Sequence, residues 1–444
     1  MFMSETIFAL SSGTVPAGVA VVRISGAGVR FGLETLIGYV PVPRHATMCA
    51  IRDEEGALLD KGLALYFPGP HSFTGEDVAE LQIHGSRASV QAVLLAIGRL
   101  GGYRAAEPGE FTRQAFANGK MDLTEVEGLS DLLLAETEAQ RRQALSQAGG
   151  GLKSLYQDWA RRLTHARAMI EAELDFSDED DIPGSVSDQI WSDMQALRDD
   201  IRKHLEKASY GEIVRTGFKV ALVGPPNVGK SSLLNRLADR EAAIVSDMPG
   251  TTRDIVEVRM DLNGYLVTLQ DTAGLRDDSD DAIELEGMRR SRAVAEAADL
   301  VLDLRDASGF DQQATPDAGP KTVPVLTKTD KLTVLQTEAL ERGSGVAISS
   351  KTGAGLDRLI STVLERLADL ESHESELVPT RSRHAALLRS ADSELETAVL
   401  DRNLPIEVRA EHLRRAADHI GRITGKVDVE DLLGVIFAEF CVGK

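Results

Sequence analysis

Gly224-Pro225-Pro226-Asn227-Val228-Gly229-Lys230-Ser231 is the stretch whose reading decides the fold. An apolar run, residues 218–223, stands before it, and a helix-patterned run, residues 232–237, follows it. Strand, glycine loop and helix in that order are the setting in which a P-loop spacing becomes a phosphate site. The glycines let backbone N–H groups turn inward around a polyphosphate, and the positive end of the following helix adds to the field. Lys230 is placed to reach the β- and γ-phosphates, as a binding and a catalytic group, and Ser231 to hold a Mg²⁺ ion. Asn227, Val228, Gly229 and Ser232 complete the nucleotide contacts expected of the loop.

Further motifs follow in the order that a GTPase needs. Gly250-Thr251-Thr252-Arg253-Asp254 comes after the P-loop helix, where a switch loop would bring Thr252 to the metal. Asp271-Thr272-Ala273-Gly274 ends an apolar strand, so Asp271 can reach Mg²⁺ through a water and the Gly274 N–H can sense the γ-phosphate. Between them, residues 255–262 and 265–270 flank Asn263-Gly264, a two-residue hairpin signal. Thr327-Lys328-Thr329-Asp330 follows a strand-like run, residues 321–326. An aspartate there accepts from both guanine N–H donors and so selects GTP over ATP. Ser349-Ser350-Lys351 closes the base pocket. Each tetrapeptide alone is weak, whereas the ordered set across residues 216–370 is specific.

Two positions depart from the common pattern. The base-reading motif usually begins with Asn, and here it begins with Thr327, whose hydroxyl is shorter than an amide. That departure bears on affinity, since Asp330 is intact. Leu275 follows the Asp-Thr-Ala-Gly motif where many Ras-like enzymes place a water-orienting Gln. A hydrolytic carboxylate must therefore come from elsewhere.

Composition narrows the class. The chain has 444 residues, enough for two or three domains, and a net charge of −21. Such acidity argues against non-specific coating of nucleic acid, although residues 409–422 form a local Arg/His-rich run. Two cysteines, Cys49 and Cys441, make no disulfide framework and fit a reducing cytosol. No signal-like N-terminus and no run of membrane-spanning length is present, so a cytoplasmic protein with no membrane partner is expected.

Residues 1–118 carry short apolar runs rich in Val, Ile, Gly and Pro, which predicts a small α+β domain. From Leu123 the apolar positions step by three or four, as in Leu152, Leu155, Trp159, Leu163, Ala166 and Ile170. Helix period ends before Thr216 and returns after residues 371–376, a linker-like run. The economical organisation is multidomain, α/β and α: an N-terminal α+β domain (1–118), a discontinuous helical domain (119–215 and 373–444) and a Ras-like P-loop GTPase domain (216–372) inserted into it.

The whole chain resembles the family of tRNA modification GTPases MnmE, also called TrmE. Beyond the nucleotide motifs the likeness rests on Thr74-Gly75-Glu76-Asp77 with Glu80-Leu81, on the segment from Phe111-Thr112-Arg113 to Asn118-Gly119-Lys120-Met121-Asp122-Leu123, and on Phe440-Cys441-Val442-Gly443-Lys444. The resemblance implies an N-terminal folate-binding and dimerisation domain. It also implies a homodimer that joins the flavoprotein MnmG in a heterotetramer and acts on the wobble uridine of certain tRNAs. The one-carbon donor would be a 5-formyl- or 5,10-methylene-tetrahydrofolate. Folate contacts fall on Arg23, Glu80, Lys120 and Lys444, with ordinary surface charge the plain alternative for Arg23 and Lys120. Cys441 carries either a catalytic part in the modification or the role of a small buried hydrophobe.

For hydrolysis the resemblance implies K⁺ in place of an arginine finger, with Asn227, Ser246, Met248 and Thr251 as ligands. Asp247, Pro249 and Gly250 join those switch residues among the nucleotide contacts. The water-positioning carboxylate falls on Glu284, with Glu286 as the fallback because the spacing from Asp271 is one residue longer than the family pattern. A GTP-regulated ribosome-assembly scaffold is the competing reading, and a folate pocket at the C-terminus separates the two.

Overall fold

In the computed structural model of the chain, the described residues are 5–175, 186–240, 256–271, 292–309, 321–332, 345–371 and 377–427, with 433, 436, 437, 440 and 443. Contacts divide the chain into two compact units. One holds Met1–Ser130, Gln147–Gln195 and Ser393–Lys444, and the other holds Asp131–Ser146 and Ala196–Asp392.

Period-two alternation builds the sheet of the first unit. Its strands are β1 (Thr6–Leu10), β2 (Ala17–Ser25), β3 (Thr47–Arg52), β4 (Leu58–Phe67), β5 (Val78–Gly85) and β6 (Tyr103–Ala105), in the order β3-β4-β5-β2-β1-β6. Neighbours are antiparallel except β1 and β6. Val22, Ile24, Leu81 and Ile83 turn to one face and pack with Leu33 of the Val29–Ile37 helix and with Val93 and Ile97 of the Arg87–Arg99 helix. Strand alternation therefore turns Arg23 and Glu80 to the other face, and the register sets them directly opposite each other. Ser86 caps the Arg87–Arg99 helix by accepting from the Ser89 N–H.

Asp122 and Glu125 form a reciprocal cap at the start of the Leu123–Leu134 helix. The Asp122 carboxylate accepts from the Glu125 N–H at 2.9 Å, and Glu125 accepts from the Asp122 N–H at 2.7 Å. Behind it, the long Gly151–Asp175 helix buries Trp159, Leu163 and Ile170, and the Ile406–Thr424 helix buries Leu413, Ala416 and Ile420 against it. The helix-period stripe expected from the sequence is thus a packed face.

The second unit is built on a six-stranded sheet. Its strands are β7 (Phe218–Val223), β8 (Val256–Leu262), β9 (Tyr265–Asp271), β10 (Leu300–Asp306), β11 (Thr322–Thr327) and β12 (Val346–Ala347), in the order β12-β11-β10-β7-β9-β8. Only β8 runs antiparallel, through the Asn263-Gly264 turn, where both residues take positive φ (55° and 87°). Near-continuous apolar strands such as Val220–Leu222 belong to a sheet covered on both faces. Leu233, Leu234 and Leu237 of the Lys230–Arg240 helix lie in this core, as do Leu359 and Val363 of the Leu356–Glu371 helix.

The unit extends beyond the residues that carry nucleotide motifs. Tyr210 and Val214, on the Ala208–Thr216 helix, share its core with Val378. Arg215 donates to the Thr380 carbonyl at 2.9 Å, so the segments entering and leaving the sheet are tied together. Residues 131–146 join by an ion pair of Glu136 with Arg259 at 2.8 Å and by the Ala139 N–H on the Gly264 carbonyl at 3.0 Å. Among the described residues no helix is long and apolar enough to cross a membrane.

Candidate functional site

The C-terminal ends of the parallel strands bring the described nucleotide-motif residues together, as open α/β sheets do. The loop after β7 needs three positive φ values: Gly224 (150°), Asn227 (61°) and Gly229 (112°). A Cβ at Gly224 would stand 2.4 Å from the Leu304 carbonyl oxygen, so only glycine lets the loop leave the sheet there. At Gly229 a Cβ would meet nothing within 4 Å, which is the open approach a phosphate requires.

Lys230 is buried, and its ammonium donates to the carbonyls of Gly224 at 2.6 Å and Pro225 at 3.2 Å. Burial lowers its pKa, against the opposing pull of Asp271. Because β9 pairs with β7, Asp271 lies beside the P-loop helix, and Ser231 donates to its carboxylate at 3.1 Å. A hydroxyl and a carboxylate so close are an oxygen donor set that suits Mg²⁺. Asn227 and Ser232 are exposed and Val228 is buried. Ser246 to Thr252, Thr272 to Leu275, Glu284 and Glu286 lie outside the described residues.

The base loop follows β11. Asp330 is exposed, accepts from the Ser349 hydroxyl at 2.7 Å, and has its pKa lowered by that bond. Lys328, at φ 60°, pairs its ammonium with Asp306 at 2.9 Å. That bond holds the Asp306 carboxyl far below the usual range, together with the donors of Ser308. Ser349 is fully buried, Ser350 half-buried and Lys351 exposed. Asp306 was missed from sequence, although a carboxylate at the end of β10 is the signal that could have shown it.

A second cluster lies on the N-terminal sheet. Arg23 Nε and Nη2 both donate to one oxygen of Glu80, at 3.0 and 2.8 Å. The guanidinium also lies 5.5 Å from the Phe73 ring and 5.6 Å from the Phe111 ring. The Gly443 carbonyl accepts from Arg23 Nη1 at 3.5 Å and from the Ser11 hydroxyl. Phe437 and Phe440 hold that end of the chain in a cluster with Val126. Lys120 is exposed, and its ammonium reaches the Pro70 carbonyl at 3.0 Å. Asn118 donates to the Thr74 carbonyl at 2.7 Å. The three segments quoted for the family likeness outside the GTPase motifs therefore meet at one place. Cys441 and Lys444 lie outside the described residues. Ser11, Phe73 and Phe111 join the cluster without having been expected. Only Phe111 stood in a segment already singled out.

Carboxylate, carbonyl and aromatic groups side by side suit a ligand with N–H donors and a planar ring.

Known proteins bear on both sites. A family model described as the N-terminus of the GTP-binding protein TrmE matches residues 6–120, and one described as the MnmE helical domain matches residues 123–441. The tRNA modification GTPase MnmE of Rhizobium meliloti (strain 1021) is 51% identical over 444 residues, covering 100% of both chains. That of Rhizobium johnstonii is 52% identical over 446 residues, covering 100% of this chain and 99% of the relative. Among solved structures, the G domain of the T. maritima FeoB iron transporter is 29% identical, covers 34% of this chain and 98% of that chain, and gives a TM-score of 0.24. Aquifex aeolicus Era is 25% identical, covers 41% and 67%, and gives 0.26. Half of all positions shared from end to end, through both sites and the segments between them, leave one conclusion: the chain belongs to the family of tRNA modification GTPases MnmE.

Proposed function

We propose that this chain hydrolyses GTP to drive an aminomethyl- or carboxymethylaminomethyl-type modification at C5 of the wobble uridine in certain tRNAs. Its partner is a flavoprotein of the MnmG kind, and its one-carbon unit comes from a tetrahydrofolate. One observation carries the reading: a single chain holds both a phosphate-and-base site and the Arg23–Glu80–Gly443 cluster. A GTP-regulated scaffold has use for the first and none for the second.

The nucleotide site divides its work by residue. The P-loop amides and Lys230 bind the phosphates, Asp330 accepts from the guanine N–H donors, and Lys328 is fixed beside it by Asp306. Mg²⁺ on Ser231 and Thr252, backed by Asp271, would neutralise charge shared by the β- and γ-phosphates. A K⁺ ion on Asn227, Ser246, Met248 and Thr251 would supply the positive charge that an arginine finger supplies elsewhere. Glu284 orients the attacking water, because Leu275 cannot.

At the N-terminal cluster Glu80 accepts from the ring donors of the folate, and Lys120 and Lys444 meet its glutamate tail. Arg23 is already held by Glu80, so the two act as a pair and not as separate clamps. The protein works as a homodimer in the cytoplasm. The sheet leaves β3 as an edge strand with Met48 72% exposed, which supports pairing through that domain.

Two expected results follow for hydrolysis. Turnover is about 10²-fold faster in KCl than in NaCl at equal ionic strength, the lower end of the scale for a group that stabilises transition-state charge. Equal rates would remove potassium from the account. Glu284→Ala lowers kcat by about 10²-fold, the scale of a positioned acid–base group, and leaves the KM for GTP nearly unchanged. If Glu286→Ala does the damage and Glu284→Ala is mild, the carboxylate is Glu286.

A further inference from the structure

Thr327 stands where the base-reading motif usually carries an amide, and its surroundings give it a different task. Its side chain is 1% exposed. The hydroxyl lies 2.7 Å from the Val228 carbonyl oxygen of the P-loop and 3.1 Å from the Arg305 carbonyl oxygen of β10. A hydroxyl has one hydrogen to donate, and both neighbours are acceptors. That hydrogen is therefore committed to backbone, and the group is closed off from the pocket.

Two other side chains of the base loop are engaged as well. The Ser349 hydroxyl donates to Asp330, and the Lys328 ammonium pairs with Asp306. Guanine presents N7 and O6 as acceptors on one edge and N–H donors on the other. Asp330 is a carboxylate that only accepts, so it serves the donor edge alone.

We propose that Thr327 is a positioning residue that locks the P-loop to the base loop and takes no part in reading the base. Guanine is then recognised through its N1 and N2 donor edge, with no side-chain contact to N7 from Thr327. This rests on the GTP-binding reading above and assigns the division of labour within that site. The lock ties together two segments that touch opposite ends of the nucleotide. Residue 327 sits between the carbonyl that precedes Gly229 and the loop that carries Asp330. Loosening it lets either end of the nucleotide leave without the other.

The test is nucleotide binding and release by the full-length protein. Wild-type protein should bind 7-deaza-GTP within about twofold of GTP, because one neutral hydrogen bond is worth about 0.5–1.5 kcal/mol and none is lost. Thr327→Val keeps the shape and removes the hydroxyl. It should release GDP about tenfold faster, the scale of a buried acceptor left without its donor. It should keep the wild-type preference for GTP over XTP, and Thr327→Ser should restore slow release. A lowered melting temperature with unchanged GDP release would make Thr327 an ordinary core residue and overturn the proposal. So would a tenfold weaker affinity of the wild type for 7-deaza-GTP. The 7-deaza comparison needs no variant, so it decides even if Thr327→Val fails to fold. Failure of wild-type protein to bind any guanine nucleotide would instead refute the underlying GTP reading.

Discussion

Asp330→Asn should weaken GTP binding by about 10²-fold, the scale of charge-assisted hydrogen bonds lost from a pocket, and should raise the affinity for XTP. In the proposed reading the carboxylate would accept from two guanine donors. An amide at that position can accept from only one, and its N–H group faces the other donor. Xanthine carries a carbonyl where guanine carries the amino group, and the amide can donate to it. Part of the frame that aims residue 330 is backbone and packing, and an amide oxygen can still accept from the Ser349 hydroxyl. Ser349 is fully buried, and the Thr329 N–H bonds the Ile348 carbonyl at 3.2 Å. The variant should therefore fold and exchange specificity. Titration with labelled GDP and XDP checks it, and an unchanged preference for GTP would mean that the base is read elsewhere.

Gly443→Ala should lower tetrahydrofolate affinity by about tenfold to 10²-fold, by displacing a backbone acceptor. Gly443 has φ 101°, a region costly for residues with a side chain. A Cβ there would stand 2.2 Å from the Leu10 carbonyl oxygen and 2.9 Å from the Ser11 Cα. Both belong to strand backbone and its continuation, so the C-terminal segment must move instead. It then loses the hydrogen bonds that its carbonyl accepts from Ser11 and Arg23. An unanchored terminus is normally expendable, whereas Phe437 and Phe440 anchor this one. Calorimetry with 5-formyl-tetrahydrofolate reads the effect, and the melting temperature checks folding. Undiminished affinity would take Gly443 out of the folate site.

Local patterns were readable from sequence where backbone geometry dictates residue type. The P-loop glycines and the Asn263-Gly264 turn need positive φ, so their residues announce them. Helix period showed the Gly151–Asp175 stripe for the same kind of reason. Contacts made across the fold were not readable. That Asp306 meets Lys328 depends on β10 and β11 ending at the same level. That Phe73 and Phe111 flank Arg23 depends on sheet register and on where the Glu110–Ala117 helix crosses. The commitment of Thr327 to the P-loop was hidden in the same way. A threonine in place of an amide suggested a weaker contact with the base, and only the packing shows the hydroxyl pointing at backbone. The Ala208–Thr216 helix reads as one more amphipathic segment, and only tertiary contact assigns it to the nucleotide-binding unit.

The central claim is that nucleotide turnover at one site serves wobble-uridine modification at another. Nucleoside analysis of tRNA tests it most directly, in cells lacking this chain and in the same cells supplied with wild-type protein or Lys230→Ala. The account predicts that the C5 modification disappears without the chain, returns with the wild type and does not return with Lys230→Ala. Wobble uridines that stay fully modified in the absence of the chain would contradict it.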